Sequence, residues 1–549
     1  MNMFKQNKLV AAIAVGLGVA SGGAGAVSLN ADGVGEALVY PYYTARNGQT
    51  TLLSVVNTTA NGKAVKVRFR EARNSNDVLD FNLYLSPQDV WTGAITAKGT
   101  GAYLTTNDTS CTNPVKSAFD AIDATNRVYG KAFFPFDYDS VDGTSTNSQG
   151  LDRTLEGYVE IIEMATIPTD SAFFTAIKHV NGVPPCEANA AGAPLFGTGT
   201  ITSRGNLSAP TGGLFGAVAQ LNLSGGVNGG VSTANAAVAY NNFDRAAAIQ
   251  DPSSANPNFA DHNSCRALVN DGATVALMNT ESVIGTCSQT AGDTARAFAA
   301  VNMASAVQGE YSFFRAADGG TAVQGTDWII TMPGKHYFTN LINWTTSTGD
   351  PHGYATGTSS SPALAPFLNP ATNGTAMWSQ SNKVSCLTIS ATPYSREEDT
   401  SGSVGSGFSP RPPGTAPNSL CYEANVISFG QPATTGGGSA VFASPLALFL
   451  NPTFARSNTG WLDLPLNVAS ATRQISGPVV GSGLNLRAGT PTAVGGNVTV
   501  TGLPVIGFKS SVARVTLVTP GTPLNNYNDS VPLTFRRTVS ITAQPTFGQ

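Results

Sequence analysis

The chain is poor in charge and histidine, and has no cysteine among its first hundred residues. Asp, Glu, Lys and Arg make up only 12% of its 549 residues, and the formal net charge is −4. Nucleic acid requires a basic footprint, and anionic lipid surfaces recruit clustered Lys and Arg. Neither feature is present, so no nucleic-acid partner is expected. No apolar run after the first 26 residues is long enough to span a bilayer as a helix, so no transmembrane segment is expected after them. The first cysteine is Cys111, which excludes a lipid-modified cysteine at the start of a processed chain. C-x-x-C is missing, and with it a thioredoxin-like redox site or zinc knuckle. So are G-x-S-x-G, a P-loop, a helix-opening G-x-G-x-x-G and H-E-x-x-H. The four histidines, His179, His262, His336 and His352, stand too far apart for local ligand spacing.

What is present begins with an export signal. Lys5 and Lys8 precede an uncharged stretch, Leu9 to Ala20, and small residues end in Ala24-Gly25-Ala26. That order of charge, apolar segment and A-x-A site predicts a secretory signal peptide over residues 1–26. The expected address is extracellular or at the cell surface, with the periplasm as the alternative. A hydrophobic content of 41% suits real cores, while Gly 59 and Pro 32 suit a loop-rich β protein.

The six cysteines are Cys111, Cys186, Cys265, Cys287, Cys386 and Cys421. An even number behind a leader predicts three disulfides. Fifteen pairings are open to six cysteines. Pairing in order closes the shortest loops and is the expectation: Cys111 with Cys186, Cys265 with Cys287, Cys386 with Cys421.

Periodicity predicts a mainly β fold. Val65, Val67 and Phe69 alternate with Lys66, Arg68 and Arg70, which reads as a half-buried strand. Arg73 to Asp77 is turn chemistry, and Leu79, Phe81, Leu83 and Leu85 alternate beyond it, so the two segments form an antiparallel hairpin. This density of short strands and turns predicts an immunoglobulin-like β-sandwich over 27–188. Helical spacing occurs at Val115, Ala118, Phe119 and Ile122, and again at Phe173, Ala176, Ile177 and Val180. Residues 189–325 form a Gly/Ala/Asn-rich β region, and 326–549 a C-terminal β-rich domain whose first strand is Thr326 to Met332. For Ala295 to Ala304 periodicity does not choose between helix and strand.

Three groups are candidates for chemistry. Asp137, Asp139 and Asp142, followed by Gly143, could curl around calcium, which takes six to eight oxygens; the spacing departs from the EF-hand, and a solvated turn is the plainer reading. Calcium is the one cofactor the sequence suggests. Arg396-Glu397-Glu398-Asp399 is the densest charge cluster; a glycosidase pair needs carboxylates held across a cleft, and adjacent loop residues seldom hold that geometry. Tyr40, Tyr42, Tyr43, Trp91 and Tyr103 could form an aromatic ligand platform, though core packing is the commoner fate.

The segments SVVNTT, VRFREA, FNLYLSPQDVWTG, TDWIITMPGKHYF, REED, FSP, CYEANVISF and GLPVIGF, taken together, resemble an uncharacterised family of large exported bacterial proteins of the cell-surface type. The resemblance spans most of the mature chain and carries over no activity and no catalytic residue. The expected function is an exported structural or adhesive surface protein without catalysis, partnering itself or other surface proteins through sheet edges. The alternative is a secreted hydrolase, or a ligand-binding protein, acting on an extracellular polymer. An outer-membrane barrel would need regular strands of about ten residues with apolar outer faces, which the uneven, charge-bearing strands do not give.

Overall fold

The computed structural model describes residues 25–73, 75–134, 151–186, 206–222, 232–280, 291–313, 323–339, 366–367, 378–379, 384–398, 419–429, 438–450, 452, 454, 458–467, 473–480, 483–485, 490–492, 496–514 and 526–543. They are mainly antiparallel β, with helix limited to short segments such as Phe174–Ile177, Ala291–Asn302 and His336–Thr339. The signal segment up to residue 24, Asp137, Asp139, Asp142, Cys287 and His352 lie outside the described residues.

Two seven-stranded sheets build a sandwich, its strands numbered here along the chain. Sheet I contains β1 (Ser28–Leu29), β2 (Ala37–Thr44), β4 (Gly62–Glu71), β5 (Asp77–Leu85), β8 (Cys111–Asn113), β11 (Glu156–Ile167) and β14 (Val238–Asn241), in the order β1-β14-β2-β11-β4-β5-β8. Sheet II contains β3 (Gln49–Asn57), β6 (Val90–Lys98), β7 (Gly101–Thr106), β9 (Asp120–Asp123), β10 (Val128–Ala132), β12 (Leu214–Asn222) and β13 (Ser232–Ala236), in the order β13-β12-β3-β6-β7-β10-β9. The expected hairpin is β4 and β5, with Val67 opposite Phe81 and Phe69 opposite Leu79. Alternation does the folding: Val65, Val67, Phe69, Phe81 and Leu83 of sheet I meet Leu53, Val55, Trp91 and Ile95 of sheet II in one core. β12 and β13, at one end of sheet II, and β14, between β1 and β2 in sheet I, come from residues 214–241, so the two sheets are completed by chain far beyond residue 188.

Two expectations need correction. The spacing at Val115, Ala118, Phe119 and Ile122 does not make an α-helix. A 3-10 turn at Lys116–Ala118 leads directly into β9, which pairs with β10 and is pinned by the Tyr103 hydroxyl donating to Asp120 at 2.8 Å. The second correction concerns Lys66, Arg68 and Arg70, which alternation places on a solvent face. All three are buried, because sheet I is the middle layer of the molecule. Its far face packs Ala37, Val39, Tyr42, Tyr158 and Ile162 into the large core of the C-terminal half. The charges there are neutralised in pairs. Arg70 reaches Glu160 and Asp77 at 2.8 Å each, and Lys66 reaches Asp80 at 2.8 Å. Arg68 donates to the carbonyls of Ala255 and Pro257, in the segment that covers it. Buried charges tolerate such a place only when paired and hydrogen-bonded.

In the C-terminal half a five-stranded sheet runs in the order Leu448–Leu450, Ala424–Phe429, Val323–Thr331, Ile506–Arg514, Asn526–Pro532. A four-stranded sheet beside it runs Thr392–Ser395, Thr459–Pro465, Ala306–Ser312, Thr534–Arg536. Disulfides join Cys111 to Cys186 and Cys386 to Cys421, and Cys265 is also disulfide-bonded. Among the described residues no helix is long and apolar enough to cross a membrane.

Candidate functional site

The platform suggested by the N-terminal aromatics is core. Tyr40, Tyr42, Tyr43 and Trp91 are fully buried, and Tyr103 nearly so. The exposed aromatic pair lies elsewhere, on the outer face of the four-stranded sheet. Tyr394, Trp461 and Glu310 stand opposite one another on three adjacent strands. Directly paired residues of antiparallel strands share a face, so these three side chains form one row. The Tyr394 and Trp461 rings stack at 4.3 Å with 9° between their planes, and Trp461 remains 39% exposed. The next row holds Asp463, which accepts a hydrogen bond from Gln308 Nε2 at 2.7 Å.

The inner face explains why the row is flat. Tyr311 stacks on Phe429 at 4.7 Å, and its hydroxyl donates to the Tyr394 carbonyl at 3.2 Å, fastening the edge strand. Gly460 permits that approach, since a Cβ there would lie 1.9 Å from the Tyr394 carbonyl oxygen. Where this sheet meets its five-stranded neighbour, Lys509 forms an ion pair with Glu310. The hydrogen bond and charge of Lys509 hold the Glu310 carboxyl below its ordinary range. Tyr394, Trp461, Glu310, Lys509, Asp529, Arg396 and Glu398 thus line an open cleft of about 710 Å³. Two members of the sequence's densest charge cluster, Arg396 and Glu398, sit at its rim; Asp399 lies outside the described residues.

Other assemblies of polar groups serve the fold. A depression of about 470 Å³ on the outer face of sheet II is lined by Leu52, Ser54, Thr92, Ala94, Ala217 and Ala219 among others, with no charged residue among them. His179 stands between hydroxyls: Ser86 Oγ lies 2.9 Å from its Nδ1 and Thr109 Oγ1 3.1 Å from its Nε2. Asp89 lies nearby at 3.7 Å, beyond hydrogen-bond range. The Thr109 hydroxyl also donates to the Gly182 carbonyl at 2.9 Å, so this group ties loops together. His262 and His336 are buried, which pushes both well below the ordinary histidine range. Among the described residues no three of His, Cys, Asp and Glu gather as metal ligands.

Under sheet I, Glu423 and Lys335 are sealed from solvent. Burial pushes the Glu423 carboxyl up to about 8 and the Lys335 ammonium down to about 8. Lys335 Nζ donates to the carbonyls of Cys421 and Tyr422 at 3.1 and 3.3 Å. Such shifts mark a functional site when they occur in a cleft, and here they belong to the junction of two layers. They make a prediction. The folded protein holds the Glu423 proton up to about pH 8, whereas an unfolded glutamate releases it near 4.5. The contribution of this group to stability therefore falls as pH rises across that interval. Glu423→Gln is expected to flatten the pH dependence of the urea midpoint between about pH 5 and 8. An unchanged slope would show that Glu423 is ionised throughout.

Comparison with protein-family models, with curated proteins and with solved structures finds no match. The cleft is therefore read from its own chemistry. Its aromatics were not legible as a site because Tyr394 and Trp461 are 67 positions apart and meet only through strand pairing. The readable signal was the four-residue charge cluster Arg396 to Asp399, close after Tyr394.

Proposed function

We propose that this chain is an exported, non-catalytic adhesive protein of the cell surface that holds a carbohydrate in the cleft between its two C-terminal sheets. The exposed Trp461, stacked on Tyr394 and flanked by Glu310, carries the reading. Aromatic faces pack against the apolar faces of sugar rings, and convergent carboxylates and guanidinium groups satisfy hydroxyls. The cleft is open, as binding along a polymer requires. Export is supported by the leader pattern and by the disulfides Cys111–Cys186 and Cys386–Cys421, which persist in oxidising compartments.

Two observations weigh between this reading and its rivals. A hydrolase of glycosidic bonds needs a carboxylic acid that keeps its proton near neutral pH. Glu310 is shifted the other way. Assembly through sheet edges needs an open, unblunted strand. The edge strand β9 of sheet II is four residues long with Asp120 and Asp123 at its ends, and short charged edges resist pairing.

Trp461→Ala is expected to weaken binding to oligosaccharides roughly tenfold or more, because truncating a central aromatic anchor removes most of the contact energy. The measurement is titration calorimetry of the oxidised protein against a panel of oligosaccharides, with melting temperature as the control for folding. An unaltered affinity in the variant would sink this site.

A further inference from the structure

The same cleft has an asymmetry that selects among carbohydrates. Glu310 is the immediate cross-strand partner of Trp461, so an exposed indole and a carboxylate leave the same face side by side. The two members of the Glu310–Lys509 pair are not equally presented: the Glu310 side chain is 76% exposed and that of Lys509 only 9%. The ligand thus meets the carboxylate, while the ammonium is withdrawn between the sheets. Lys509 also keeps Glu310 ionised below the ordinary carboxylate range, so its charge persists in mild acid. Glu398 and Asp529 add further carboxylates to the lining, against Arg396 alone among exposed cations.

An aromatic face beside a carboxylate is the chemistry that recognises an ammonium group, through the ring quadrupole and through direct charge. A polymer bearing carboxylates or sulfates would meet like charge at Glu310, Glu398 and Asp529. We propose that the ligand is a glycan built of amino sugars with free amines, its ammonium seated between Trp461 and Glu310 and its sugar rings lying along the exposed side of the Tyr394–Trp461 stack. This assignment rests on the carbohydrate reading above and narrows it to one chemical class.

Three probes of equal length and linkage separate the narrower claim from the broader one: the β-1,4-linked hexamer of glucosamine, its fully N-acetylated counterpart, and the corresponding glucose hexamer. Each is titrated calorimetrically into the oxidised full chain at mildly acidic pH, where the free amines are protonated. The glucosamine hexamer is expected to bind roughly tenfold more tightly than the other two, within the range of a desolvated cation–aromatic contact. Glu310→Gln is expected to bring its affinity down to that of the glucose hexamer, and Trp461→Ala to weaken all three. Glu310 is an exposed side chain, so its amide variant should fold, and an unchanged melting temperature checks this. Glu398→Gln, at the rim, is a second variant expected to reduce the preference by a smaller factor. Equal binding of the three hexamers would overturn the amino-sugar assignment and leave the carbohydrate reading standing. Tighter binding of the acetylated or glucose hexamer would do the same. Absence of binding by all three would overturn both.

Discussion

Lys63→Met is expected to destabilise the protein by about 3–5 kcal/mol, the cost of breaking a buried ion pair from one side. Lys63 on β4 and Glu163 on β11 are fully buried, with Nζ 2.8 Å from Oε1. The ammonium also donates to the hydroxyls of Thr166 and Thr211 at 3.0 and 2.7 Å. Glu163 in turn accepts from the Gly212 amide at 2.8 Å and from the Thr166 hydroxyl at 2.7 Å. Methionine keeps the volume and removes the charge, so the carboxylate stays behind without its cation. Unlike the Arg68–Arg70 group, this pair has no second basic side chain within ion-pair distance among the described residues. The double variant Lys63→Met/Glu163→Gln should recover part of the loss, because a neutral amide still accepts from Gly212 and no longer strands a charge. Urea unfolding of the oxidised protein measures both. A loss below about 1 kcal/mol in the single variant would mean that solvent reaches Glu163 and that the pair behaves as an exposed one.

Replacing Cys111 and Cys186 together by serine is the second change with a large effect. The bond spans a sequence separation of 75, and closing such a loop removes chain entropy from the unfolded state worth about 4 kcal/mol. It also has a local part. Cys111 lies on the edge strand β8, and the bond draws in the segment that follows the helix Phe174–Ile177. There Phe173, Ala176 and Ile177 cover Tyr84, Ala64 and Met164 in a small separate core. Without the bond that cover is held by few strand hydrogen bonds, so unfolding should begin there. The expected result is a lower urea midpoint and faster amide exchange over 173–186 than over β4 and β11. Exchange that rises uniformly along the chain would argue against a local role.

How far the sequence could be read depended on where its partners lay. The β4–β5 hairpin was legible because both strands and their turn fall within 24 residues and alternate cleanly. The fate of the outward set, Lys66, Arg68 and Arg70, was not. Alternation reports two faces but does not say that the second face is covered by residues nearly two hundred positions later, such as Ala255 and Pro257. Residues 189–325 were legible as a β region, yet nothing local marks the strand that begins at Leu214 as the neighbour of β3. The same limit governs the site. Arg396 and Glu398 drew notice as a charge cluster, whereas Trp461 carries no local mark and gains meaning only between Tyr394 and Glu310. The N-terminal tyrosines misled for the opposite reason: aromatic density in sequence was density in the core.

The pairing of β1 with β14 and of β3 with β12 has a kinetic consequence. A polypeptide that emerges N-terminus first presents β2 and β3 early, but their outer neighbours arrive only with residues 214–241. For that whole interval both half-built sheets carry a raw flank of unsatisfied amides and carbonyls, the surface on which stray chains add themselves. Closure then requires contacts between segments some two hundred residues apart, and such long-range pairing is slow. The time of greatest danger for this molecule is therefore the interval before Asn241 has emerged, and whatever shields β2 and β3 until then decides how much of it folds intact.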